Sequence, residues 1–154
     1  MSRLLRAVSI AALVLVLLPL SAAAQVEHFD KRVPFAFDQL RAIDATVGPV
    51  HVTNLKITDL GRGYGRGSFL KLPPPSELST TLRLAFDIDN PKSTDWSISV
   101  TVEFLDRTGT VIDRVTKKKN YESETAVLTI EHPLLEYVVP MITDVRVILG
   151  GRPD

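Results

Sequence analysis

The sequence contains no cysteine. That excludes disulfides, thiolate metal sites and a lipid-modified cysteine at the end of a leader. It leaves a bacterial exported protein open, because the periplasm does not require disulfides. After the N-terminal region no apolar stretch approaches the ~20 residues of a membrane span. Neither sign of charge is in excess: 18 Lys and Arg stand against 18 Asp and Glu. Nothing in that balance favours nucleic acid or an anionic membrane. No helix of ordinary length and no internal repeat is visible.

What is present begins with an export pattern. Arg3 and Arg6 form a positive flank, an apolar run extends from Ala11 to Leu20, and Ala22-Ala23-Ala24 offers the small residues a signal peptidase reads. The run is short for an anchor. Residues 1–24 are therefore expected to be a cleaved signal peptide, with a periplasmic or secreted product and no stable membrane span afterwards. Removing those 24 residues from 154 leaves 130, enough for one domain with an adequate core. The signal takes two of the 18 basic residues and none of the 18 acidic ones, so the remainder carries a net charge of −2.

Residues 25–42 are mixed in character, and "VPFAFDQL" reads as an arm that packs extended. In "VGPVHVTNLKITDL" Val50, Val52, Leu55 and Ile57 are apolar, with a change of phase near Asn54. That predicts a strand with a bulge. "TLRLAFDID" places Leu82, Leu84, Phe86 and Ile88 on one face and Arg83, Asp87 and Asp89 on the other. "WSISVTVEFLD" repeats the alternation: Trp96, Ile98, Val100, Val102 and Phe104 face the core, while Ser97, Ser99, Thr101 and Glu103 face out. Asp106-Arg107-Thr108-Gly109 is a turn, after which "TVIDRVTKK" pairs back as a hairpin. "TAVLTIEH" and "TDVRVIL" supply further strands, and "PLLEYVVPM" between them reads as a short helical turn. Six or so short strands spaced by turn signals predict an all-β fold, an antiparallel immunoglobulin/fibronectin-like β-sandwich over residues 43–150.

The stretch "RLAFDIDNPKSTDWSISVTVEFLDRTGTVID" resembles the small immunoglobulin-like domains of bacterial exported proteins. It is similar to the FxLyD family in Asn90 and in the aromatic-x-Asp-x-x-Gly turn of Phe104, Asp106 and Gly109. It also resembles the late-embryogenesis-abundant type 2 sandwich, in which Asn-Pro follows the first clear strand, as Asn90-Pro91 does here. The likeness covers roughly residues 80–131. It implies a sandwich and brings no catalytic residue.

"GRGYGRGS", residues 61–68, is the most unusual stretch. A phosphate loop needs Gly-Lys-Ser/Thr, and Gly67-Ser68 lacks the Lys; the dinucleotide pattern fails at Arg66 and Ser68. With Pro73-Pro74-Pro75 it makes a long loop. If extended, Arg62, Tyr64 and Arg66 share one face, and Phe69 adds apolar surface. These four residues are the candidate partner-binding loop; a plain connector is the alternative. Asp87, Asp89 and Asp95 lack calcium-loop spacing. His28, His51 and His132 lack zinc spacing and meet only if the fold gathers them. No Gly-x-Ser-x-Gly elbow is present. Lys117-Lys118-Lys119-Asn120 reads as protection of a sheet edge.

These features predict an exported, non-enzymatic binding or structural accessory module of the bacterial envelope. No cofactor and no metal are expected. The expected partner is a protein, a peptide or an envelope polymer, met through loops or an edge strand. The alternative is a small periplasmic hydrolase or ligand carrier. N-terminal sequencing of protein recovered from an exporting host should read Gln25 first; a chain starting at Met1 would refute the signal assignment.

Overall fold

Aliphatic residues at alternate positions, separated by Gly, Pro and Asn breaks, build eight strands. The computed structural model describes residues 27–61, 78–91, 95–122 and 124–154. The strands are β1 Glu27–Pro34, β2 Leu40–Val47, β3 Val50–Asp59, β4 Ser79–Asp89, β5 Trp96–Leu105, β6 Val111–Tyr121, β7 Thr125–Leu135 and β8 Asp144–Pro153. They form two antiparallel four-stranded sheets, in the orders β1-β8-β5-β6 and β2-β3-β4-β7. The chain is thus an all-β sandwich. In the immunoglobulin arrangement strands A-B-E oppose G-F-C-C′. Here β3-β4-β7 and β1-β8-β5-β6 fill those positions, so the place of G is taken by the first strand of the described chain. Within the stretch 25–42, Glu27–Pro34 is a paired strand and Leu40 opens β2.

The alternation predicted for the central strands is present. Leu82, Leu84, Phe86 and Ile88 of β4 and Ile98, Val100, Val102 and Phe104 of β5 are all buried in one core, joined by Val145, Val147 and Leu149 of β8. Arg83, Asp87 and Asp89 face away and bond to Glu131, Asn54 and Thr125. The expected bulge in β3 is present as a register shift against β4 between Val52 and Leu55. A second shift, between Ala42 and Ala45, sets two residues of β2 against one of β3, with Asp44 at φ 50°.

Glu103 faces outward as expected, where Arg146 and Arg114 cover it at 3.4 and 3.5 Å and leave its side chain 8% exposed. Two expectations change. Trp96 is only half-buried and lies at the end of the sandwich. Its indole lies over Gly48, where a Cβ would come within 2.2 Å of the ring. Gly48 also holds φ +60°, so glycine is required there twice over. The segment 133–141 also differs. β7 runs through Pro133 to Leu135, and only Val139–Met141 is helical, as one 3-10 turn. Glu136 N–H donates to Leu78 and Asn90 N–H donates to Glu124, so even-numbered residues of β7 turn their backbone toward β4. Pro133 is odd, and its missing N–H faces away from the ladder, where proline is tolerated.

The residues that carry the family resemblance hold connections together. Asn90 is buried, and its amide donates to the carbonyls of Tyr121 and Glu122 at 3.3 and 3.0 Å, tying the β4 exit to the β6 exit. Asp106 accepts from the N–H groups of Thr108 and Thr110 at 2.8 and 2.9 Å, with Gly109 at φ +83°.

Each seam between the sheets is bridged by a lysine. Lys31, on the inner face of edge strand β1, donates to the Ile43 carbonyl of β2 at 3.0 Å. Lys117, on the inner face of edge strand β6, donates to the Thr129 carbonyl of β7 at 3.0 Å. Next to it, His132 of β7 stacks on Phe104 with centroids 5.9 Å apart and meets Asp113 of β6 at 3.0 Å.

Tyr121 is fully buried, and among the described residues its hydroxyl has no hydrogen-bond partner. Burial, then the charge of Glu124, pushes its pKa up to about 12. Chemical unfolding should separate two kinds of buried ring. Phe86→Ala should cost about 3–5 kcal/mol. Tyr121→Phe should be neutral or stabilise by up to about 1 kcal/mol, since it removes a buried unpaired hydroxyl. A large loss for Tyr121→Phe would reveal a partner for that oxygen.

Candidate functional site

One end of the sandwich gathers the exits of β1, β3, β5 and β7 with the entries of β2, β4, β6 and β8. Phe35 and Phe37 lie on the crossover from β1 to β2. They are anchored by Phe35 N–H to the Thr143 carbonyl at 3.0 Å and Asp38 N–H to the Ile57 carbonyl at 2.8 Å. Asp38 takes φ 55°, which turns the chain from one sheet to the other. Across from them, the 3-10 turn after β7 presents Val139 and Pro140, with Ile142 behind. Between these walls lies an open cavity of about 510 Å³, also lined by Asp59, Gly61, Thr80 and Glu136.

The walls are aromatic and aliphatic. Phe35 and Phe37 meet edge to face at 5.0 Å, and Phe35 meets Phe104 of the core at 6.5 Å. Phe104 in turn stacks on His132, so a row of rings leads from the cavity to the β6–β7 seam. Asp59 is occupied structurally: one oxygen accepts Thr80 Oγ1 at 2.5 Å and Gly61 N–H at 2.8 Å, which ties the exit of β3 to the entry of β4.

Exposed apolar side chains gather at the same end of the sandwich. Leu40, Leu78, Val111, Leu135, Tyr137 and Met141 all lie toward this end, and they are six of the seven exposed large hydrophobic side chains among the described residues. Tyr137 is 64% exposed and Leu78 62%. Exposed apolar side chains concentrated at one end are a feature of surfaces that contact another molecule. What the arrangement can do chemically is enclose an apolar group by shape.

Arg62, Tyr64, Arg66 and Phe69, the loop residues singled out from the sequence, lie outside the described residues. Gly61 and Leu78, which flank that stretch, are at the cavity and its rim. The histidines are not gathered: His28 is on β1, His51 bonds Thr46 on β2, and His132 bonds Asp113. Asp87 and Asp89 accept from Asn54 and Thr125. Among the described residues no three acidic or histidine side chains form a metal cluster. Lys117 and Lys119 lie on edge strand β6, but they point along the seam rather than into solvent on the outer face. Sequence reasoning passed over the cavity because its walls come from segments without strand alternation. The trace that was legible is the pair of phenylalanines in "VPFAFDQL" and the apolar, proline-interrupted run at 138–142.

No protein-family model and no curated protein matches the chain.

Two ion pairs on the outer face of the sheet join β1, which leads into Phe35, to β8. Arg32 donates to Asp144 at 2.6 Å and Arg146 Nε to Asp30 at 2.9 Å. The Arg146 hydrogen bond lowers the Asp30 pKa, the Arg32 hydrogen bond lowers that of Asp144, and the bond to Asp30 raises that of Arg146. Carboxylates depressed in the folded state stabilise fully above their unfolded value of about 3.9, and that contribution is lost as pH falls through the lower folded value. Both acids are partly exposed, so solvent screening keeps each contribution small. Backbone hydrogen exchange should therefore show β1 losing protection below about pH 4 before the β4–β7 ladder does. Equal protection of both ladders in acid would show that the pairs do not hold β1.

Proposed function

We propose that the chain is an exported, non-enzymatic β-sandwich that serves as a binding or accessory module of the bacterial envelope, holding an apolar segment of a partner protein at the Phe35–Phe37 end. The observation that carries this reading is the coincidence of the cavity with six exposed apolar side chains at the same end. The edges of the sheets speak against the other route, addition of a partner strand. β1 carries the inward Lys31 and ends at Pro34; β2 is bulged; β6 carries the inward Lys117 and Lys119; β7 contains Pro133. Inward charges, bulges and edge prolines all oppose strand addition. Export rests on the N-terminal pattern of the sequence. The likeness to FxLyD and late-embryogenesis-abundant type 2 sandwiches accords with such a role.

A second reading has one observation in its favour. A cavity of about 510 Å³ falls in the range of small-molecule pockets, about 300–1,000 Å³, so carriage of a small apolar ligand fits the same walls.

Both readings are tested with the full chain expressed in its exporting host. A photo-crosslinking residue at position 137, on the cavity rim, should trap a discrete protein partner. The same residue at position 122, at the opposite end, should not. Native mass spectrometry of the purified chain should instead reveal a bound small molecule if the carrier reading holds. Equal trapping at the two positions, with no bound ligand, would sink both.

A further inference from the structure

The outer face of the β1-β8-β5-β6 sheet divides into two halves of different electrostatic character. Toward the Phe35 end, every outward cation is paired. Arg146 lies between Asp30 and Glu103, Arg114 reaches Glu103, and Arg32 holds Asp144. Toward the opposite end lies a depression of about 290 Å³ lined by Ser97 and Ser99 of β5, Lys118 of β6, and Gly150, Gly151 and Arg152 of β8. Among the described residues no acidic one lines it. Among the described residues Lys118 and Arg152 make no ion pair and the hydroxyls of Ser97 and Ser99 make no hydrogen bond. Asp154, two residues beyond Arg152, accepts from Asn120.

The depression exists because of Gly150. Its neighbour Gly151 points into the core, where a Cβ would meet Val47 at 2.5 Å and Ile98 at 2.9 Å. Gly150 points outward, and a Cβ there meets nothing within 4 Å. Missing side chains at this position leave the floor open between two cations. Lys118 is opposite Ser99 and Arg152 is opposite Ser97. The two cations therefore flank β5 diagonally. With strands about 4.8 Å apart and about 3.4 Å of rise per residue, their Cα atoms are about 12 Å apart. Side chains of that length can converge on one group between them.

We propose that this basin binds a phosphate monoester group. Four unspent donors, two of them cationic, match a group with three acceptor oxygens and a charge of about −1.5 to −2. A planar carboxylate has fewer acceptors and half the charge. The volume is at the lower limit for whole small-molecule ligands, about 300 Å³, so it holds one charged group of a larger molecule. The basin lies away from the apolar cavity, and the proposal does not depend on what that cavity holds.

The test uses the full folded chain, isotope-labelled, titrated with glycerol 3-phosphate, and in a second arm phosphatidylcholine vesicles containing phosphatidic acid. The amide signals of Ser97, Ser99, Gly150 and Arg152 should shift together and saturate, and the effect should weaken with salt. Lys118→Ala with Arg152→Ala should weaken binding about tenfold or more. Gly150→Val, which changes no charge and whose Cβ meets nothing within 4 Å, should do the same by filling the floor. Arg107→Ala, in the β5–β6 turn at the far end, should leave binding unchanged. Unfolding midpoints of the variants should equal that of the parent, which separates lost binding from lost folding. Binding in the first arm alone assigns a soluble phosphorylated ligand, and tighter binding in the second assigns a lipid headgroup. Unsaturable shifts spread over all surface cations, or a Gly150→Val chain that binds as the parent does, would overturn the site.

Discussion

The burial of alternate residues on consecutive strands fixes everything else in this sandwich. β4 sends Leu82, Leu84, Phe86 and Ile88 into the core from one sheet, and β5 sends Ile98, Val100, Val102 and Phe104 from the other. A slip of one residue in either would bury Arg83 and Asp87, or Ser99 and Thr101, and expose the aliphatic set. With these two strands locked, the neighbours have little freedom. β8 must pair with both β1 and β5, and its own inner residues Val145, Val147 and Leu149 complete the same core. The crossover at 35–39 follows, because β1 and β2 are on different sheets and the chain must turn between them at Asp38.

The parts of the fold legible in the sequence are those where one physical rule acts alone. Period-two burial placed β4, β5 and β7 and the bulge near Asn54, since each has one wet face and one dry face. The turn chemistry of Asp106 and Gly109 placed the β5–β6 hairpin. Where two rules compete, the sequence was opaque. Pro133 looked like a break because proline ends most strands, yet an outward-facing N–H has no ladder bond to lose. The alternation places Glu103 on the outer face correctly but says nothing of the two arginines from flanking strands that cover it. The candidate site was the least legible of all. Its walls are assembled from Phe35, Phe37, Val139 and Ile142, which are distant in sequence and obey no period.

The two seams show how a sandwich of two equal sheets can be closed without enlarging its core. An aliphatic residue at position 31 or 117 would sit half in water at the rim. Lysine places its methylene stem against the apolar interior and its ammonium on a backbone carbonyl of the facing sheet. The same residues spoil the edge strands as templates for another chain. The apolar cavity and the cationic basin lie away from those edges, at one end and on one face.

The position of β8 has a consequence for how the protein comes into being. It comes last in order among the eight described strands, yet it is internal to its sheet and joins the first strand to the fifth. The Arg146–Asp30 pair spans 116 residues. Until β8 emerges, β1 has no neighbour in its sheet and β5-β6 is a lone hairpin, which is marginal in water. Loop closure over that distance must precede the reward of pairing, which makes folding slow. The sandwich therefore stays unlocked until β8 is available. Withholding that one strand leaves the sheet of β1, β5 and β6 unformed, however complete the rest of the domain is.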